Sequence, residues 1–313
     1  MLWESTDPQD ALRDRFGLYG FDEAVLWLTK VLAEVWGVDV ESCERILISG
    51  HNAIAWIRSD RGAFVAKWSR AEGQFVRFAA AADLINALHQ RGVPVAPPLE
   101  SVDGRYREIV SSDSSRLSMT VQQAVDGQPL DTGNETTVRA AGASFAELHA
   151  ALALHPDHRL IGSEPNSPAD LRQRIEQWLA EDDSRIAPAA SDRLREQIST
   201  LPPIDTEPQL IHNDYRSTNI LTADTEIVAV VDFDEIAWDY AVCDLARTLV
   251  FLNTRFTDWN PTPANVRRTF LAGYESVRPL TNPEAQWLQA LVLWRGIAAI
   301  PPGPDPAGWA NAL

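Results

Sequence analysis

The chain contains little lysine, little cysteine and no long apolar run. Only two of its 27 basic residues are lysines, Lys30 and Lys67. The two cysteines, Cys43 and Cys243, are far apart and form neither a metal-binding nor a disulfide pattern. No apolar run approaches the roughly 20 residues of a membrane span, and the acidic N-terminus lacks a signal-peptide pattern. These absences favour a cytoplasmic protein.

Positive charge is also scarce. The formal net charge of the 313 residues is −17, which argues against nucleic acid or an anionic membrane as a partner. The length suffices for two lobes or for one large domain. The composition, 45% hydrophobic and 23% charged, is that of an ordinary globular protein. It does not distinguish a monomer from a homodimer.

Polar residues follow short apolar strands between Leu210 and Asp244. His212 and Asp214 lie just after a strand that ends at residue 211, and Asn219 stands five residues after Asp214. A second pair of short strands, predicted at 220–221 and 227–231, leads to Asp232, eighteen residues after Asp214 (232 − 214). Loops at the ends of neighbouring strands can direct these side chains toward one point.

Such a set of side chains has a use in phosphoryl transfer. A hydroxyl that attacks a phosphoryl group needs a carboxylate to orient it and take its proton, and the triphosphate needs Mg²⁺. Protein kinases place their base Asp and a metal-binding Asn five residues apart, with a further metal-binding Asp on a later turn. The same spacing predicts Asp214 as the base and Asn219 and Asp232 as Mg²⁺ ligands. The alternative is a hairpin with solvated acids at its turns.

The segments HNDYRSTNIL and VVDFD resemble the catalytic signature of the aminoglycoside phosphotransferase and choline kinase-like family. The resemblance implies an α/β (α+β), two-lobed protein-kinase-like fold, with a small antiparallel sheet in the N-terminal lobe, a mainly helical C-terminal lobe and ATP in the cleft. It also implies that His212 braces the catalytic loop and that Asp244 is a structural aspartate. Asn213 occupies a position where the family usually has glycine, which would make the loop backbone less permissive.

Three further strands are predicted at 45–49, 53–58 and 63–68. Gly50 and His51 lie in the first turn, which could present backbone N–H groups to nucleotide phosphates; a plain hairpin is the alternative. Lys67 stands among apolar neighbours at the end of the third strand. By resemblance it is the lysine that pairs with the ATP phosphates. Its acidic partner is left open between Asp83 and Glu72.

The link between the lobes is predicted near residues 125–127. By resemblance, the backbone at Gln123 and Val125 meets the adenine edge of ATP. An ordinary strand end followed by a turn is the alternative. The predicted lobes are 1–125, which binds nucleotide and carries an N-terminal helical extension, and 126–313, which holds the catalytic and substrate-binding residues.

Apolar residues at helical spacing predict most of the remaining elements. The helices are expected at 22–36, 72–91, 136–153, 245–253, 263–277 and 282–300. Ser167 should cap another, Thr262 should cap the helix that follows it, and the last 13 residues should form a tail. Residues 1–20 form a loose lead-in or a short helix. His149 is interpreted as a structural hydrogen-bonding residue.

The resulting functional prediction is an ATP-dependent phosphotransferase that uses Mg²⁺ and acts on a hydroxyl of a small molecule. An antibiotic of the aminoglycoside type is the expected acceptor. A metabolic kinase for choline, homoserine or an amino sugar is the first alternative, and a catalytically silent nucleotide-binding module is the second. The complete set of Lys67, Asp214, Asn219 and Asp232 argues against the silent module.

Acidic residues after the catalytic strand bear on the acceptor's charge. If Asp234, Glu235 and Asp239 line its site, the acceptor would be cationic. The alternative is that these acids precede a helix and face water. Substrate contacts of this family come from variable elements, so the sequence leaves antibiotic and metabolite open.

Overall fold

The computed structural model describes residues 6–112, 115–161, 171–181 and 187–313. The chain divides into two compact units, Met1–Asp126 and Gly127–Leu313. Among the described residues, no helix is both long and apolar enough to cross a bilayer.

The first unit contains a five-stranded antiparallel sheet with strand order β1-β2-β3-β5-β4. Its strands are β1 (Val40–Ile48), β2 (Asn52–Ser59), β3 (Gly62–Ser69), β4 (Glu108–Ser111) and β5 (Arg116–Gln123). The helices are α1 (Pro8–Phe16), α2 (Phe21–Val31) and α3 (Phe75–Gln90). A π-helical turn, Leu32–Trp36, continues α2, and a 3₁₀ turn, Glu72–Gln74, precedes α3.

The N-terminal segment is a short helix with defined ends, the second of its two predicted alternatives. Asp7 caps α1 by accepting hydrogen bonds from the N–H groups of Gln9 and Asp10, and Gly17 ends it with a left-handed φ of 67°. Phe16 packs edge-on against Trp68 of β3, with ring centroids 6.1 Å apart. The helices α1 and α2 therefore cover the sheet face that carries Phe64, Ala66 and Trp68. Lys67, one residue along, points to the opposite face.

The second unit is mainly helical. Its helices are α4 (Glu135–Ala153), α5 (His158–Ile161), α6 (Leu171–Ala180), α7 (Pro188–Thr200), α8 (Ala241–Phe251), α9 (Ala264–Val277) and α10 (Asn282–Ala299). Its short strands are β6 (Gln128–Pro129), β7 (Gln209–Ile211), β8 (Ile220–Ala223), β9 (Glu226–Val230) and β10 (Ala237–Asp239). β6, β8 and β9 form one antiparallel sheet, and β7 pairs with β10. This mixed architecture confirms the predicted fold class.

Some element ends differ from the sequence prediction. The cap of α9 is Pro263, whereas Thr262 uses its hydroxyl to bond the Val250 carbonyl at 3.0 Å. Helix α8 begins at Ala241, four residues earlier than predicted, and the segment before it forms the short strand β10. The predicted cap at Ser167 lies outside the described residues. At the C-terminus Trp309 is buried and packs on Phe251 at 5.5 Å, so the predicted tail is part of the core.

Candidate functional site

The loop after β7 is fixed by a buried carboxylate. Asp244, in the first turn of α8, accepts hydrogen bonds from the backbone N–H of His212 at 2.9 Å and of Asn213 at 3.0 Å. Asn213 has a φ of 62°, the left-handed region in which glycine is easiest and asparagine is among the best tolerated substitutes. The predicted structural role of Asp244 is confirmed, and the departure from glycine is accommodated by the asparagine.

His212 is a fully buried, neutral link between the two ends of the site. Its Nδ1 accepts from the backbone N–H of Asp214 at 3.2 Å, so Nε2 carries the proton and donates to the Val231 carbonyl, also at 3.2 Å. Burial lowers the pKa of the imidazole, although nearby carboxylates, Asp244 first among them, oppose this. The ring connects the Asp214 loop with the residue before Asp232.

The Asp214 carboxylate is held from two sides. Its Oδ2 accepts from Asn219 Nδ2 at 2.8 Å and from Arg216 Nε at 3.1 Å. Burial raises the pKa of this carboxyl; the positive charge of Arg216 lowers it, and the negative charge of Asp232 raises it. The orientation of the carboxylate is therefore set before any ligand binds.

Asn219 and Asp232 lie at the two ends of the β8–β9 hairpin. The backbone N–H of Val231 donates to the Asn219 carbonyl at 2.9 Å, which holds Asp232 beside Asn219. Asp232 has a φ of 66°, a left-handed conformation that turns the chain out of the strand. The structure thus brings together four predicted site residues: His212, Asp214, Asn219 and Asp232.

The donor set in this loop fits a hard divalent cation that shares its coordination with phosphates. Asn219 gives its amide N–H to Asp214, and its Oδ1 accepts one long hydrogen bond, at 3.4 Å, from the Thr218 hydroxyl, so that a second lone pair of Oδ1 can bind a ligand; Asp232 adds a carboxylate. In the part of the chain that the structure describes, no group of three or more His, Cys, Asp or Glu residues could hold a metal. Mg²⁺ typically takes one or two protein carboxylates and completes its shell with phosphates and water.

Arg216 was missed by the sequence reasoning. It lies two residues after Asp214, its side chain folds back onto the carboxylate, and its guanidinium lies 5.8 Å from the centre of the Trp259 ring. The only signal available was a cation inside a loop of otherwise uncharged side chains between Asp214 and Asn219. That pattern does not show whether the side chain turns inward.

A chain of buried hydrogen bonds supports Asp244 from behind. His149 of α4 donates from Nε2 to Asp244 Oδ2 at 3.1 Å, and its Nδ1 accepts from the Tyr274 hydroxyl of α9 at 2.8 Å. Arg278 contacts the same hydroxyl at 3.3 Å and the buried Glu284 at 2.6 Å. The structural hydrogen-bonding role predicted for His149 is confirmed.

The other predicted site residues belong to the first unit. Lys67 is buried on β3, directly opposite Ile54 of β2 and Thr120 of β5. Gly50 and His51 form the β1–β2 turn, near the same end of the sheet. Their carbonyls accept from Arg70, at 3.3 Å to its Nη2 for Gly50 and 3.0 Å to its backbone N–H for His51.

The predicted adenine-contact residues lie where β5 ends. The backbone N–H of Gln123 donates to the Pro97 carbonyl at 3.0 Å, and Val125 follows, two residues before the second unit begins. Of the two candidate partners of Lys67, Asp83 lies within α3, whereas Glu72 is exposed in the 3₁₀ turn before it. The choice between them stays a prediction.

Comparison with known proteins decides the family. The model of the APH phosphotransferase enzyme family matches residues 43–287, which include both the strand lysine and the catalytic loop. The chain belongs to the APH phosphotransferase family.

Individual members of the family are distant from this chain. The homoserine kinase of Neisseria meningitidis serogroup B is 26% identical over 212 residues, which cover 64% of this chain and 63% of the relative. The matches span 58% to 63% of the length of three curated relatives and 23% of a fourth.

Solved phosphotransferase structures share the fold. The macrolide 2'-phosphotransferase of Brachybacterium faecium gives a TM-score of 0.64 at 20% identity, covering 88% of this chain and 91% of that one. An amicoumacin kinase, solved with AMP-PNP, Ca²⁺ and its antibiotic, gives a TM-score of 0.61 at 18% identity, covering 94% of this chain and 91% of that one.

Proposed function

We propose that the protein transfers the γ-phosphoryl group of ATP to a hydroxyl of a small molecule. The observation that supports this most is the Asp214 carboxylate, fixed by Asn219 and Arg216 and close to a second carboxylate, Asp232. Membership of a phosphotransferase family gives this arrangement its chemical context. A silent module would have no use for a pre-oriented carboxylate on a braced loop.

In the proposed step the acceptor oxygen bonds to the γ-phosphorus, while the bond from that phosphorus to the β–γ bridging oxygen breaks. The bonding electron pair leaves with ADP. Asp214 takes the hydroxyl proton, on the oxygen Oδ1 that is not occupied by Asn219 or Arg216. A bound Mg²⁺ would neutralise phosphate charge, and Asn219 Oδ1 and the Asp232 carboxylate would hold it.

The first unit would bind the nucleotide. In this proposal Lys67 and the turn of Gly50 and His51 contact the phosphates, and the backbone at Gln123 and Val125 meets adenine. The proposed functional lobes, 1–125 and 126–313, divide the chain accordingly. A lysine buried on β3, near the end of the sheet that carries the Gly50–His51 turn, is consistent with this role, because its ammonium is a compact charge with three donors that suits phosphate oxygens.

Two acceptor classes have support. Two proteins that share the fold are antibiotic kinases, a macrolide 2'-phosphotransferase and an amicoumacin kinase. A sequence relative is instead a homoserine kinase, whose name gives an amino acid as the acceptor. Both classes offer a hydroxyl to phosphorylate. The fold comparison supports an antibiotic acceptor but also includes an aminopropanol kinase, and the sequence comparison supports a metabolic acceptor.

A panel assay with an isosteric variant tests the proposal. ADP release is measured with aminoglycosides, macrolides, choline, amino sugars and hydroxy amino acids. Asp214→Asn keeps size but cannot accept the proton, so kcat should fall by about 10²–10⁴-fold with ATP affinity little changed. Asp224→Asn, at an exposed turn of the β8–β9 hairpin, is the matched control. An unchanged kcat in Asp214→Asn would contradict the assignment of the base.

A further inference from the structure

Three arginines from three helices of the second unit form one group, which we call the guanidinium cluster: Arg174 of α6, Arg247 of α8 and Arg295 of α10. Arg247 lies four residues after Cys243 and shares its helix face. Arg174 Nη2 lies 4.0 Å from the Cys243 sulfur, and α10 packs against α8.

The charges in this group act on one another. Burial lowers the pKa of Arg295, the Cys243 thiol and the Asp239 carboxylate oppose this, and the positive charges of Arg247 and Arg174 lower it further. Contact geometry places α6 and α10 together here, because Trp178, one turn after Arg174, packs on Trp294, the neighbour of Arg295, with ring centroids 6.1 Å apart.

Negative charge around the cluster is insufficient. Arg174 binds the Asp239 carboxylate at two points, with Nη1 3.1 Å from Oδ1 and Nη2 2.9 Å from Oδ2. Among the described residues, neither Arg247 nor Arg295 has an ion-pair partner. Arg247 instead lies 5.4 Å from the centre of the Phe251 ring, and Arg295 lies 4.4 Å from that of Trp294. Aromatic faces hold these cations in place but do not neutralise them.

Two buried donors beside the cluster also lack acceptors within the described part of the chain. They are Nε of Arg295 and the indole Nε1 of Trp294, whose residue is 7% exposed. Trp294 packs edge-on against Trp178 of α6, with ring centroids 6.1 Å apart. Trp178 lies one helical turn after Arg174. Buried donors and cations without partners are costly, so this site requires an acceptor-rich anion.

The cluster lies near the catalytic loop. Arg247 is three residues after Asp244 on α8, about one helical turn along the same face. Asp244 in turn accepts from the backbone N–H of Asn213, the residue before Asp214. A small molecule held by the cluster would therefore lie on the α8 side of the catalytic carboxylate.

We propose that the guanidinium cluster binds a carboxylate of the acceptor, so that the substrate class is a small hydroxy acid. A planar guanidinium fork matches a carboxylate by two-point hydrogen bonding, and the free indole N–H offers a further donor. This inference rests on the proposed phosphotransfer. It assigns to the acceptor the opposite charge from that expected from Asp234, Glu235 and Asp239, since Asp239 already pairs with Arg174.

The first experiment compares matched acceptors. Hydroxy acids, L-homoserine among them, are assayed beside their amides, with choline and kanamycin as cations and glycerol 3-phosphate as a phosphate. Each free acid should exceed its amide by about 10²-fold in kcat/KM. Equal rates for acid and amide, or a cation as the best acceptor, would overturn this inference and leave the proposed phosphotransfer standing. A preference for glycerol 3-phosphate would overturn the carboxylate assignment. No phosphorylation of any compound would remove the proposed function itself.

The second experiment changes the cluster. Arg295→Gln and Arg247→Gln should each raise KM for the hydroxy acid by about 10²-fold, a much larger factor than for the amide, with KM for ATP unchanged. Arg295→Lys keeps the charge without the fork and should show a smaller loss. Arg193→Gln, exposed on α7, is the matched control. Equal losses for acid and amide would contradict the proposed contact.

Thermal unfolding gives a reading that does not depend on turnover. The hydroxy acid without ATP should raise Tm of the wild-type protein and not of Arg295→Gln. Without ligand, Arg295→Gln should unfold no earlier than the wild type, because it removes a cation that lacks a counter-ion. A large fall in its Tm would instead show that Arg295 is a structural residue, and would reject the site.

Discussion

Asp214 shows how much of a single residue's chemistry depends on its neighbours. The carboxylate shares one oxygen between an amide donor and a guanidinium donor, and the two differ in effect. The amide of Asn219 fixes the direction of the carboxylate. The charge of Arg216 also lowers the pKa of Asp214, which opposes the rise caused by burial. The direction of the carboxylate is therefore fixed by its neighbours before an acceptor arrives.

The residue-scale prediction concerns Lys67. Lysine offers a compact charge, whereas guanidinium is a wider planar fork, so Lys67→Arg should lose activity although it keeps the charge. We expect a fall of about 10²-fold in kcat/KM, close to that of Lys67→Ala.

The other lysine supplies the control for this substitution. Lys30 lies on α2, where its side chain is 72% exposed and its Nζ is 4.0 Å from Glu34 Oε1. The control is Lys30→Arg. It should behave as wild type in kinetics and in Tm. Near-full activity of a folded Lys67→Arg protein would leave the lysine without a catalytic role.

At the scale of elements, the crossing of α4 and α9 determines whether the loop is braced. Gly142 of α4 faces the backbone of Phe270, and Gly273 of α9 faces the carbonyl of Arg139, so closely that an added Cβ would collide with the backbone in both places. These two glycines let the helices approach until His149 of one reaches Tyr274 of the other. Close packing and the hydrogen-bond chain to Asp244 thus depend on the same crossing.

Gly273→Ala tests this crossing. Helix propensity alone would stabilise the protein by about 1 kcal/mol, whereas overpacking costs about 1–3 kcal/mol or more. We expect the collision to dominate, with Tm lower by several degrees and kcat reduced as the loop loosens. In Gly296→Ala, the control, the new Cβ would meet only the end of the Leu313 side chain, at 2.9 Å. An unchanged or higher Tm for Gly273→Ala would show that the helices can separate at no cost.

At the scale of the whole molecule, the charge balance makes nucleotide binding depend on a cation. The chain carries a net charge of −17, and the proposed phosphate region adds Asp214 and Asp232 to that negative field. Calorimetry should show ATP binding at least about tenfold tighter with Mg²⁺ than with EDTA. Asp232→Asn should remove most of that difference. Equal affinity with and without the cation in the wild type would reject Asn219 and Asp232 as ligands.

From the sequence alone one could predict the fold class, the family resemblance and the loop from His212 to Asn219. These follow from local information, because strand periodicity, turn residues and the five-residue Asp–Asn spacing are properties of neighbouring positions. Most helices and strands were predicted for the same reason, within a few residues at their ends. The strand β10 was missed, because its three residues gain their structure from pairing with β7.

Which charged side chains meet is visible only in the folded protein. The direction of Arg216, the chain from Asp244 through His149 to Tyr274, and the pairing of Asp239 with Arg174 join residues from different elements. Arg174, Arg247 and Arg295 are separated by 73 and 48 positions (247 − 174 and 295 − 247). Their convergence is set by how α6, α8 and α10 pack. Coulomb energy depends on distance in space and on burial, and a linear sequence specifies neither.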